Sequence, residues 1–76
     1  MARQKSVDIV AEMVANVMKV VVDEGDRVDS GDTVVLLESM KMEIPVLAEA
    51  PGTVASVKVS EGDVVQEGDI LVTVEL

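Results

Sequence analysis

The 76 residues include no cysteine, no histidine and no phenylalanine, tyrosine or tryptophan. Without Cys or His the chain has no disulfide, no thiolate nucleophile, no imidazole base and no usual zinc ligand except carboxylates. Most catalytic mechanisms are excluded with them. The missing aromatics remove any platform for stacking bases. Six Lys and Arg stand against fifteen Asp and Glu, a formal charge of −9, and they are scattered, so no cluster exists to neutralise phosphates. Nucleic acid is not an expected partner. No apolar run approaches the ~20 residues of a membrane-spanning helix. The start, Met1-Ala2-Arg3-Gln4-Lys5, leads into a strand pattern instead of a signal-peptide apolar stretch. A cytoplasmic protein making no membrane contact is expected.

The length suits one small domain over 1–76, with residues 1–5 expected as a flexible N-terminus. A domain of this size buries only roughly 60% of its unfolded surface and often leans on disulfides or metals. Neither is on offer here, so the patterning must carry the fold. Sliding the chain by 37 positions lays Val17–Glu38 on Val54–Glu75 with eleven identities in 22 positions, among them Glu24/Glu61, Gly25/Gly62, Asp26/Asp63, Gly31/Gly68 and Asp32/Asp69. Two copies are too few for a solenoid. A pair of units related by an approximate two-fold is the alternative, each reading strand, turn, very short strand, turn, strand.

Val-rich segments bounded by Gly, Asp and Pro suit strands, where β-branched side chains pack well on a pleated surface. Alternation assigns the faces. It turns Val7, Ile9, Ala11 and Met13 inward along Val7–Met13, and Ala55, Val57 and Val59 inward along Thr53–Val59. Repeat symmetry adds Met18, Val20 and Val22. Val72 and Val74, with their mates Val35 and Leu37, face the core, which leaves Val34 and Leu36 on a surface that something must cover. Gly25, Gly31, Gly62 and Gly68 each precede Asp, the composition of a turn needing φ > 0 at the Gly. The acidic turns do not match the spacing of a twelve-residue EF-hand loop, so no metal is expected. An all-β sandwich of two small sheets follows.

The repeat breaks at Glu38-Ser39-Met40-Lys41-Met42-Glu43, which runs on into a strand at Glu43–Ala48 with Ile44, Val46 and Ala48 alternating against Glu43, Pro45 and Glu49. The short separation makes this a hairpin with Lys41 near its tip, at the pole opposite the chain ends. Two-residue hairpins normally recruit Asn-Gly or another residue tolerant of φ > 0, and the tip has none. Met40 and Met42 sit where burial looks impossible, although Met more often fills a gap beside a sheet.

Glu-Ser-Met-Lys-Met-Glu resembles the attachment motif of biotinyl domains, found in biotin carboxyl carrier proteins and the carrier segments of biotin-dependent carboxylases. The resemblance takes in the Glu-Gly-Asp turns, Ala50-Pro51-Gly52-Thr53-Val54 and the Gly-Asp before the last strand. It implies a flattened barrel, or barrel-sandwich hybrid, of two four-stranded antiparallel sheets with quasi-two-fold symmetry. It implies covalent biotin on Lys41 framed by Met40 and Met42. Glu38 and Glu43 flank the tip as candidate contacts for a biotin protein ligase, although an exposed strand end would carry such residues anyway. The implied function is a non-catalytic carrier that moves a carboxyl group between biotin carboxylase and carboxyltransferase sites. Two departures stand out: Val14-Ala15 replaces the Pro-Gly often seen in the first half, and the inserted thumb of some bacterial carriers is missing. A lipoyl-carrying domain shares the hairpin Lys and an acidic residue three before it, but commonly shows Asp-Lys-Ala. An unmodified barrel-sandwich interaction domain is the remaining alternative.

Overall fold

A computed structural model describes residues 5–76. Eight strands form in chain order: β1 (Ser6–Val10), β2 (Ala15–Val20), β3 (Arg27–Val28), β4 (Thr33–Ser39), β5 (Met42–Leu47), β6 (Gly52–Val57), β7 (Val64–Val65) and β8 (Ile70–Glu75). They make two four-stranded antiparallel sheets, ordered β1-β8-β6-β3 and β5-β4-β2-β7. No helix occurs among the described residues, and hence none long and apolar enough to cross a membrane.

The 37-residue repeat is the two-fold of the fold, and backbone hydrogen bonds lock the halves reciprocally. Gly25 N–H donates to the Val54 carbonyl and Gly62 N–H to that of Val17, each at 2.8 Å. Val54 and Val17 answer with bonds to the carbonyls of Asp26 and Asp63, again 2.8 Å. Gly31 with Ala48, and Gly68 with Ala11, repeat the exchange. Each donating Gly holds φ between 92° and 94°, a region closed to most side chains. In each turn the following Asp folds back, its carboxylate accepting the N–H three residues earlier, as from Asp23 to Asp26 and from Ser60 to Asp63 at 2.8 Å. Half of the turn hydrogen bonds thus serve the turn and half tie it to the other repeat.

Between the sheets lies a core without an aromatic ring, built on Val34, Val35, Leu37, Val54, Leu71, Val72 and Val74, all at 2% exposure or less. No polar side chain is buried among the described residues. Ile9, Ala11, Val22 and Ala48 are buried as the alternation requires, and Val20, Val57 and Val59 pack against the core. Met18 and Ala55 do not. Both are exposed, because each is the extra residue of a β-bulge: the ladder steps from Val17↔Leu37 to Lys19↔Leu36, and from Val54↔Val74 to Ser56↔Thr73. A bulge inserts one residue and inverts the alternation beyond it, so Val17 and Val54 point inward in their place.

A second pair of bulges lies at Val34 and Leu71. Here the extra residue turns inward, which buries Val34 together with Val35 and Leu71 together with Val72. The expected outward surface for Val34 is therefore corrected; Leu36 is half-buried. Met13 is likewise not in the core. It is 41% exposed in the turn after β1, which ends at Val10 and not at Met13. As for the expected flexible stretch 1–5, residues 1–4 lie outside the described residues, while the Lys5 carbonyl accepts the Leu76 N–H at 2.9 Å.

Candidate functional site

β4 and β5 pair from Thr33↔Leu47 through Glu38↔Glu43 to Ser39↔Met42, leaving Met40 and Lys41 as a two-residue connection. Their φ angles are 52° and 64°. Such a connection matches the right-handed twist of its strands when both central residues are left-handed, which ordinarily selects Asn and Gly. Among the described residues these are the two non-glycine positions with positive φ. A left-handed L-residue costs roughly 1–2 kcal/mol, so the tip is held against its own preference. What holds it is the ladder below, anchored by the fully buried Val35 and Leu37.

The tip side chains face water. Met40 is 91% and Met42 64% exposed, and Lys41 is exposed as well. Leaving two thioether side chains in solvent forfeits burial free energy that a core position would return. Glu38 and Glu43 stand directly opposite on one face of the ladder, and like charges so placed destabilise a sheet. On its other side Glu38 pairs with Asn16, so the turn from β1 into β2 lies at the base of the hairpin. All five residues singled out in the sequence thus share one hairpin. The left-handed backbone pair and the neighbouring Asn16 were not foreseen; the signal for the first was the absence of Asn or Gly from so short a turn.

The opposite pole carries the ends of the described chain, with Ser6 paired to Glu75. No group of three or more Asp or Glu residues is arranged to hold a metal ion among the described residues. The hairpin can present an amine at a fixed height above a rigid body. The chain has no imidazole or thiolate with which to activate it.

The family model described as "Biotin-requiring enzyme" (biotin/lipoyl) matches residues 5–74. The chain is similar to the biotinylated protein TB7.3 of Mycobacterium bovis, 71% identical over 38 residues, 50% of this chain and 54% of that protein. It is similar to the biotin/lipoyl attachment protein of Bacillus subtilis, 53% identical over 34 residues, 45% of this chain and 47% of that one. These matches span about half the length of the relatives. Among solved structures, the urea carboxylase of Kluyveromyces lactis superposes at a TM-score of 0.88 with 30% identity, covering 97% of this chain and 6% of that one. The lipoyl domain of the 2-oxoglutarate dehydrogenase complex of Azotobacter vinelandii gives a TM-score of 0.69 with 31% identity, covering 80% and 77%.

Proposed function

The chain belongs to the biotin/lipoyl attachment family, and from that premise we propose that residues 1–76 form one biotinyl domain whose Lys41 carries covalent biotin and serves as a carboxyl carrier. The observation that carries this reading is the placement of Lys41 between two solvent-exposed Met residues on a hairpin tip kept in a costly conformation. A residue held in strain by its surroundings is a reasonable start for a functional hypothesis. Cargo is the further step, and the Met-Lys-Met context with the biotinylated relatives supports biotin.

The donor set fits the group. Amide formation needs an amine that an enzyme can reach, and Lys41 is exposed at the hairpin tip. An ammonium has no lone pair with which to attack, and this chain holds no His or Cys to deprotonate it. A biotin protein ligase therefore supplies both the base and an activated biotinyl-adenylate; the amide bond forms as the acyl–phosphate bond breaks and AMP leaves. Glu38 and Glu43 are the contacts we assign to that ligase, and Met40 and Met42 frame the nucleophile. Attached biotin supplies a ureido nitrogen able to hold a carboxyl group. The chain then contributes reach and tethering, which raise local concentration without chemistry of its own. Its partners in this reading are a biotin carboxylase and a carboxyltransferase, as separate subunits or as domains.

Co-expression with a biotin ligase followed by intact-mass measurement tests the proposal. A single biotinyl increment that disappears in Lys41→Arg is the expected result. No increment in the presence of an active ligase would sink it, and a lipoyl increment on the same lysine would select the lipoyl cargo.

A further inference from the structure

The repeat supplies an internal control: a feature present at one pole and missing at its mate 37 residues away is not demanded by the fold. Between the edge strands β1 and β5, beside the base of the hairpin, lies an open groove of about 190 Å³. Leu37 floors it, Val10, Met13, Ile44 and Pro45 wall it, and Glu12 contributes to its rim. At the other pole the mates of Met13 and Pro45 are Ala50 and Asp8. A methyl replaces a thioether chain there, and a carboxylate replaces an apolar ring. The groove beside Lys41 is thus more apolar than its two-fold mate, and it leaves Met13 41% and Val10 38% exposed.

We propose that this groove is a resting seat for the biotinyl ring carried on Lys41, an inference that rests on the attachment reading above. Reach permits it. Ile44 lies three residues from Lys41, about 10 Å at ~3.3 Å per residue, while a biotinylated lysine arm spans on the order of 12–14 Å. Size agrees too. Sites for whole drug-sized ligands run to roughly 300–1,000 Å³, whereas this groove suits a ring at the end of a tether. The chemistry is complementary: the sulfur-bearing face of the ring packs on the Met13 thioether and on Ile44 and Pro45. The ureido edge presents N–H donors, and the Glu12 carboxylate is an acceptor. A short tether gives an effective concentration in the millimolar range, so a contact of merely millimolar affinity seats the ring about half the time. That weakness keeps the arm free to leave for a partner's site.

The test uses the intact chain labelled with ¹³C-methyl methionine, with and without biotin, its modification state read by mass. Met40 and Met42 flank the lysine and respond in any case, so Met13 is the discriminating reporter and Met18, outside the groove, the control. The Met13 methyl resonance should move on biotinylation and show an Overhauser contact to the biotin ring protons, with Met18 unmoved. Met13→Ala gives that turn the residue its mate already is at position 50, and streptavidin should then capture the biotin about twofold faster, the factor for releasing a half-occupied closed state. An unmoved Met13 resonance, or an unchanged capture rate, in protein whose mass shows full biotinylation overturns the seat and leaves the attachment reading standing. A mass without the increment overturns both.

Discussion

At Met40 and Lys41 the backbone adopts a conformation that an Asn or Gly would take at little cost, and the chain uses neither. Met40→Asn should therefore raise unfolding free energy by about 1 kcal/mol, the penalty of a left-handed L-residue largely removed. The shift would appear as a higher urea midpoint at unchanged slope, followed by far-UV circular dichroism because the chain has no aromatic side chain to fluoresce. Lys41→Arg keeps the same backbone demand and should stay within about 0.5 kcal/mol of the parent. A lost mass increment in that variant then reports chemistry and not unfolding. Glu43 raises a sharper question, since it faces Glu38 directly. Glu43→Lys converts a like-charged cross-strand pair into an opposite one, and should stabilise by a few tenths to about 1 kcal/mol. If the ligase reads that carboxylate, the same variant is modified more slowly. A faster or unchanged rate would strip Glu43 of the role and leave it an ordinary exposed strand end.

Strands and turns were largely legible in the sequence, because Val-rich segments and Gly-Asp pairs carry their own conformational demands. Four bulges were not. A period of two assigns every second side chain to the core, and the extra residues at Met18, Val34, Ala55 and Leu71 each shift that count by one. No single residue type marks a bulge, so Met18 and Ala55 were placed inward and Val34 outward. The repeat itself held the remedy: Val17 and Val54 are identical mates and both are buried, whereas Met18 and Ala55 differ and both are exposed. The hairpin is legible from spacing alone, while its left-handed tip is not, since backbone strain leaves no residue signature beyond the missing Asn or Gly. Ala15 and Gly52 sharpen the comparison between halves. A Cβ built on Gly52 would strike the Glu75 carbonyl oxygen and stand 2.7 Å from Val74 Cγ1, yet its mate Ala15 carries a Cβ and is buried. Gly52→Ala should thus cost at least about 2 kcal/mol, as overpacking against fixed backbone does. Ala15→Gly should cost about 0.5–1 kcal/mol, the backbone-entropy penalty of Gly in a strand. Equal losses in thermal melts of the two variants would show that the halves do not differ in packing at this point.

The whole molecule is a two-fold body with the proposed attachment site at one pole, under a formal charge of −9. With no buried polar side chain among the described residues, that charge lies at the surface, where self-repulsion works against the compact state. Its range is set by salt: the Debye length is about 30 Å at 0.01 M and about 8 Å at 0.15 M. Raising sodium chloride across that interval screens repulsion over distances comparable to the 12.1 Å radius of gyration, so the melting temperature should rise. A flat or falling profile would mean that local attractions offset the net charge. The same field would act on the encounter with the proposed ligase: the acidic turns would attract a basic surface from any direction, whereas attachment in this reading needs the Lys41 pole, and the paired Ser6 and Glu75 occupy the other. A folded protein fused before Lys5 or after Leu76 should therefore leave the rate of biotinylation within about twofold. A similar bulk inserted between Met13 and Val14, in the turn whose next strand pairs Asn16 with Glu38, should obstruct the ligase and slow modification by far more. Comparable rates for the two placements would mean that the ligase reads the tip alone and approaches it along the long direction of the hairpin.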